Sequence, residues 1–255
     1  MSPAILFFAV ASSVLVIYSL NTTPYSYDNF THWCVITKEI YLTNALPVEG
    51  TIVTFTNYPP ATALYEYFVL QFTGFGESYM LSAMNVLTTS LLTCLFVGTS
   101  FKKPATLLTR VVLAVSLIFV VTNGYRNLLV DAILGFIFLA LGVCALWDET
   151  YSKSAAYFYG IMSAFIVLVK MNGSMFVLGH VILLLVLCRG RLGRGERLRR
   201  MLLPLGASVA APIIASVSFS IYSKIAFSAL EKENEFVLSF SNFIAKATSK
   251  SAEFW

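Results

Sequence analysis

Apolar residues along the chain gather into long, nearly unbroken runs at 4–20, 79–97, 107–122, 128–147, 155–169, 175–188 and 201–226, divided by short polar turns. A helix needs about 20 apolar residues to cross the roughly 30 Å of bilayer hydrocarbon, so the pattern predicts seven membrane helices. One further apolar stretch, ATALYEYFVLQF at 61–72, does not fit. It reaches only about 18 Å as a helix and has Glu66 in its middle, so it is expected to lie along the membrane surface with its aromatics dipping into lipid. The first run lacks the basic stretch that opens a secretory signal and reads as an uncleaved first span.

Charge orients these runs. With 61–72 lying flat and the N-terminus inside, Lys102, Lys103, Arg110, Lys153, Arg189, Arg191, Arg194, Arg197, Arg199 and Arg200 all fall on one side. Counting the short stretch as a span would set Lys102 and Lys103 against the arginine cluster and split the bias that marks cytoplasmic loops. The outer face then receives residues 21–78, the turns around Arg126 and Lys170, and the tail after Ala226. The expected fold is an all-α, multi-pass protein of the plasma membrane, with a cytoplasmic N-terminus and its active site outside. It has one seven-span module over 1–226, interfacial helices in the outer loop at 21–78, and a segment at 227–255 that reads as an outer loop or tail leading onward.

Composition supports this class. With 58% hydrophobic residues, 12% charged and a mean hydropathy of +0.78, the chain departs far from the roughly 25% charged residues of soluble proteins. Its formal net charge of +4 does not indicate nucleic acid, because the arginines crowd into one stretch between apolar runs, as topology signals do. Cys94, Cys144 and Cys188 lie in or at the ends of apolar runs and only Cys34 lies in a polar loop, so no disulfide framework is implied. The sequence has no GxxxxGK[ST] loop, GxSxG elbow or HExxH pair, which leaves soluble-nucleotide chemistry without a home.

The polar equipment is concentrated in four places. YDNFTHW, residues 27–33, follows the first span, and Asp28 within it is a general base for an acceptor hydroxyl, a solvated acid at a helix end, or the cap of a helix over 29–41. His32, four residues on and so on the same helical face, would orient that acid, share a metal with it, or be a plain interfacial histidine. One acid and one histidine give a divalent metal weak support, and no other cofactor is implied. NYPP, residues 57–60, starts the flat helix, since proline is accepted in a first turn; it is a simple turn or a rigid polar ledge carrying Tyr58 near Asp28. In NGYRNLLVDAILGF, 123–136, Asp131 stands at the mouth of the fourth span. An ionised acid within hydrocarbon costs about 2.5–3.5 kcal/mol, so Asp131 needs a watery cavity or a partner. Arg126, five residues away, is poorly spaced for that pairing on a helix. Lys170, where the chain turns back from outside, is a snorkelling lysine or a phosphate contact.

An acid just after the first span, a Pro-Pro start to an interfacial helix, an acid at the outer start of the fourth span and a Lys-x-x-Gly turn after the fifth together resemble the GT-C class of membrane glycosyltransferases. That class includes protein O-mannosyltransferases and aminoarabinose transferases. YDNFTHW with NYPPATALYEYF is similar to bacterial proteins of the class that carry an acid-x-Phe-x-His-Trp segment there. The resemblance covers residues 1 to about 226. It implies a seven-helix module that moves a sugar from a polyprenyl-phosphate-type lipid to an extracytoplasmic glycan, lipid or protein acceptor in cell-surface glycan assembly. It also implies Asp28 as the base, with Arg126, Asp131 and Lys170 lining the donor site; His32 and Tyr58 are expected as further substrate contacts. The chain departs from the class pattern in having Tyr58 where Lys or His often precedes the proline pair, and Asn29 where many members have a second acid. The alternative is a transporter or flippase of lipid-linked sugars, which would be expected to carry polar and charged residues in the middle of several spans and internal repeats. Here the charges lie at span ends. A purely structural subunit would have no use for so long a polar outer stretch.

Overall fold

Each apolar run becomes a helix whose ends are set by a nearby cap, proline or glycine. The computed structural model describes residues 2–121, 126–148, 151–191 and 194–227, the side chains of 120, 121, 191 and 194–199 excepted. Helix α1 (Pro3–Ser19) starts with Pro3 in its first turn, where a missing N–H costs nothing, and the Ser2 side chain accepts the Ile5 N–H at 3.3 Å. A π turn, Asn29–Trp33, leads into α2 (Cys34–Thr43). Helix α3 (Ala61–Thr73) begins directly after Pro60 and stops at Gly74, whose φ of 80° suits glycine. Helix α4 (Glu77–Leu92) tightens into a 3₁₀ turn, Thr93–Phe96. There follow α5 (Pro104–Ser116) with a π turn, Leu117–Val121, then α6 (Asp131–Trp147), α7 (Lys153–Val169), α8 (Gly173–Arg191) and α9 (Arg194–Ala226).

Among the described residues the chain is all-helical, with nine α-helices and no strand. Three segments, Glu77–Phe96, Gly173–Gly190 and Arg200–Ala226, are long and apolar enough to cross a membrane, while α1, α5, α6 and α7 are apolar but shorter. The seven predicted runs coincide with α1 and α4 to α9, and the predicted flat helix coincides with α3. The fourth run starts later than expected, at Asp131 instead of Leu128. Leu128 and Val130 are buried in the preceding loop, where Asn127 Oδ1 accepts the Leu129 N–H at 3.2 Å. The last residue of the third run, residues 123–125 of the next turn and the tail from 228 onward lie outside the described residues.

Helix α4 is the hub, packed against α1, α3 and α6. Its polar side chains face α1: Ser12 and Thr89 share a hydrogen bond at 2.6 Å, and Asn85 Nδ2 donates to Ser19 Oγ at 2.8 Å. Helix α7 lies along α9, where Gly160 admits close approach; a Cβ there would sit 3.3 Å from both Cβ and the carbonyl oxygen of Ala207. Small residues of this kind let helices pack where lipid supplies no hydrophobic drive. Helices α2 and α3 form a layer around a small core of Ile36, Ile40, Val53 and Ala63, joined to the main core through Trp33, Cys34, Ala61 and Leu70. This layer rests on the end of α9: the Tyr222 hydroxyl donates to the Pro47 carbonyl, and the Glu49 N–H donates to the Ala226 carbonyl at 3.0 Å.

Candidate active site

The site begins with the π turn, Asn29–Trp33. A turn one residue wider than an α turn occurs in short pieces, often at functional positions. Asn29 holds it in place. Fully buried, its Nδ2 donates to Asn127 Oδ1 at 3.3 Å and its Oδ1 accepts the Leu128 N–H at 3.2 Å, so the turn is tied to the loop before α6. From the other side, the Thr54 hydroxyl donates to the Thr31 carbonyl at 2.9 Å. Asp28, just before the turn, is exposed, and its carboxylate caps nothing. Its backbone is right-handed helical (φ −63°, ψ −24°), whereas a capping residue is extended, which overturns the helix-cap reading of Asp28.

His32 is 1% exposed, which overturns the plain interfacial reading. Its ring is boxed edge-on by Trp33, Tyr58 and Phe55, with centroids 4.6, 5.2 and 5.5 Å away, and Tyr58 stacks on both Phe55 and Trp33. Neither ring nitrogen has a partner among the described residues. Burial drops its pKa to about 4, so the imidazole is neutral at physiological pH. Trp33 is buried too; Tyr25, Tyr27 and Phe30 are the exposed aromatics of this segment.

Tyr58 connects this box to the charged groups. Lys170 Nζ stands 5.9 Å from the centre of the Tyr58 ring and donates to Asp131 Oδ1 at 2.7 Å. Asp131 therefore finds its partner on the α7–α8 turn, not in Arg126. It also lies in the first turn of α6, where the helix dipole favours an anion. The Lys-x-x-Gly turn makes this geometry. Lys170 leaves α7 in an extended conformation, Gly173 N–H closes the turn on the Lys170 carbonyl at 2.8 Å, and a Cβ on Gly173 would fall 2.1 Å from the Ile166 carbonyl oxygen, so no larger residue fits. Arg126 stands apart: its Nε donates to the Thr23 carbonyl at 3.2 Å and its guanidinium lies over the Tyr25 ring. Of the six residues singled out from sequence, His32, Tyr58, Asp131 and Lys170 form one connected group. Asp28 sits at the entrance to the His32 turn, and Arg126 flanks that turn from the neighbouring loop.

Three groups escaped the sequence reading. Asn29, taken as a missing second acid, is the anchor of the turn. Glu66 is 2% exposed, and its Oε2 lies 2.6 Å from Thr37 Oγ1, which is also 3.2 Å from the Trp33 carbonyl oxygen. Burial raises the Glu66 pKa to about 8 against the opposing hydrogen bond from Thr37. Cys34, expected in a polar loop, is buried at the start of α2, and its thiol is pushed up to about 12 by burial and by the charges of Glu66 and Glu77. The one advance signal was an acid inside an apolar helix, which in a packed structure demands a hydrogen-bonded burial site. Among the described residues no group of three or more His, Cys, Asp and Glu side chains converges as a metal site. Searches against protein-family models, curated proteins and solved structures find no match to this chain.

Proposed function

We propose that the chain is a membrane glycosyltransferase of the GT-C type, which transfers a sugar from a polyprenyl-phosphate donor to an extracytoplasmic hydroxyl acceptor in cell-surface glycan assembly. In this reading α1 and α4 to α9 cross the plasma membrane with the N-terminus inside, and the α2–α3 layer lies on the outer surface. The Asp28 carboxylate takes the acceptor's proton as the acceptor oxygen bonds to the anomeric carbon. The bond from that carbon to the phosphate oxygen breaks, and the electron pair leaves on the lipid phosphate, where Lys170 and Arg126 meet the growing charge.

The observation that carries this reading is the gathering of His32, Tyr58, Asp131 and Lys170 from four separate places in the sequence at the same end of the helices as an uncapped, exposed Asp28. A second feature suits a lipid donor. A groove of about 460 Å³ runs between α1 and α5, lined by apolar side chains from Pro3 and Phe101 up to Leu15 and Phe119. Its upper end lies one turn below Ser19, where the chain leads to Thr23 and its bond from Arg126. A tail in this groove would bring its phosphate towards a cation.

The alternative, a carrier of lipid-linked sugars, draws on the polar groups His180, Ser163 and Ser208 buried within α7, α8 and α9. Purified protein in proteoliposomes, given a panel of polyprenyl-phosphate hexoses and aminosugars with glycan, lipid and peptide acceptors, separates the two. Release of polyprenyl phosphate with sugar on an acceptor supports the transferase. Intact donor appearing on the opposite leaflet, with none cleaved, supports the carrier.

A further inference from the structure

Thr37 sits between two oxygens and owns one proton. Its Oγ1 is 2.6 Å from Glu66 Oε2 on α3 and 3.2 Å from the carbonyl oxygen of Trp33, the last residue of the π turn. A hydroxyl donates once, and a carbonyl oxygen only accepts. If Glu66 were a carboxylate, both neighbours would compete for the same hydrogen, and the shorter, charge-assisted contact would win it. The Trp33 carbonyl would then lose its side-chain donor. If Glu66 carries a proton, all contacts are satisfied in sequence: the Glu66 O–H donates to Thr37 Oγ1, and the Thr37 O–H donates to Trp33.

We infer that Glu66 is a positioning residue whose carboxyl proton completes a relay through Thr37 to the Trp33 carbonyl, fixing the wide turn that carries His32 and follows Asp28. The importance of that turn for catalysis rests on the transferase reading; the relay itself does not. Burial of Glu66 at 2% exposure and a pKa near 8 keep the proton in place at neutral pH. The surroundings do not interfere. On α2 the titratable neighbour is Cys34, whose thiol is held up to about 12, and on α3 it is Tyr65, likewise raised by burial and by Glu66. Glu77, at the start of α4, acts on Cys34; Lys153 and Lys170, at the two ends of α7, do not enter the balance at Glu66, which burial and Thr37 set. Raising the pH through 8 therefore removes one proton, turns the Thr37 hydroxyl toward the carboxylate and takes the side-chain donor away from the Trp33 carbonyl.

Trp33 reports on its own turn. In full-length protein with Trp147→Phe and Trp255→Phe, the Trp33 emission should shift in a single-proton transition centred near pH 8. Adding Glu66→Gln, whose amide N–H donates to Thr37 but cannot titrate, should hold the low-pH emission flat across that range. Thr37→Val should give the high-pH emission at every pH, and Thr37→Ser should restore the transition. A transition that persists in Glu66→Gln, or its absence in the parent with Thr37→Val indistinguishable from it, overturns the relay. The pH profile of sugar transfer, taken in parallel, tests the transferase reading separately: fluorescence as expected with no transfer by any variant removes that reading and leaves the relay standing.

Discussion

The α2–α3 layer and the α7–α9 pair are both well packed, yet they bury different things. In the layer the buried groups include Asn29, His32, Thr37 and Glu66, mostly fixed by specific hydrogen bonds. Along α7 and α9 the contact is one of shape, with Gly160 receiving Ala207. If α7 and α9 lie in lipid, as proposed, they gain little from hydrophobic contact with one another, so close fit has to hold them. A layer at the end of those helices can use polar groups where hydrogen bonds satisfy them, as they do for Asn29, Thr37 and Glu66, while the His32 nitrogens have no partner among the described residues. The polar layer should therefore respond to pH and to single-atom changes, and the Gly160–Ala207 contact to volume.

The most damaging substitution should be Trp33→Ala, which removes a buried wall of the aromatic box around His32; large-to-small changes of this size cost about 3–5 kcal/mol. Denaturation in detergent of the Trp255→Phe protein, followed by Trp147 emission and helical circular dichroism, would measure it. If α2–α3 is a distinct layer, circular dichroism should show an early partial transition while the Trp147 signal stays near that of the parent. Coincident loss of both would merge the two regions. Gly160→Leu should cost about 1–3 kcal/mol from overpacking and, unlike changes in the layer, by the same amount at every pH between 4 and 9.

The pH response of the layer has a definite shape. His32 titrates at 6.5 unfolded and about 4 folded. The unfolded state thus binds the extra proton in that interval, and the His32 contribution is present above 6.5 and lost as the pH falls toward 4. Glu66 runs the other way: its folded value of about 8 lies above the ordinary 4.5, so its contribution is full below 4.5 and lost as the pH rises through 8. Between 4.5 and 6.5 the two slopes oppose each other. Relative to Glu66→Gln, the parent should lose stability from 4.5 to 8, on the order of 1 kcal/mol per pH unit. Relative to His32→Gln, it should lose stability from 6.5 down to 4. Paired thermal melts across this range would show a missing or reversed slope.

The smallest effect on stability should come from Lys170→Met. Its partner Asp131 has a 70% exposed side chain, and exposed ion pairs contribute about 0.2–1 kcal/mol. If Lys170 meets the donor phosphate, donor KM should nonetheless rise on the order of 10- to 100-fold, the worth of a hydrogen bond to a charged group at about 1.5–3 kcal/mol. Equal small changes in both quantities would make Lys170 a structural residue only.

Local pattern carried the elements well and the contacts poorly. The bounds of α3 were legible within a residue because Pro59 and Pro60 fix its start and Gly74 its end. The Lys-x-x-Gly turn was legible for the same reason: a glycine sits where the Ile166 carbonyl excludes any side chain. Partners could not be read from any short window. Asp131 was weighed against Arg126, five residues away, but meets Lys170, and Asn29 reaches across to Asn127 and Leu128. The burial of Glu66 was hidden for a related reason. A flat amphipathic helix and a helix packed on a neighbour have the same periodicity, and the neighbours, α4 and the Thr37 hydroxyl on α2, distinguish them.

The central claim is that Asp28 is the base, and Asp28→Asn in the full-length protein tests it most directly, because it keeps the shape and removes the proton acceptor. At equal abundance in proteoliposomes, with polyprenyl-phosphate sugar and acceptor both saturating, transfer should fall by about 10²- to 10⁴-fold, while the thermal melt and donor binding stay close to the parent. Transfer within a few-fold of the parent would contradict the account.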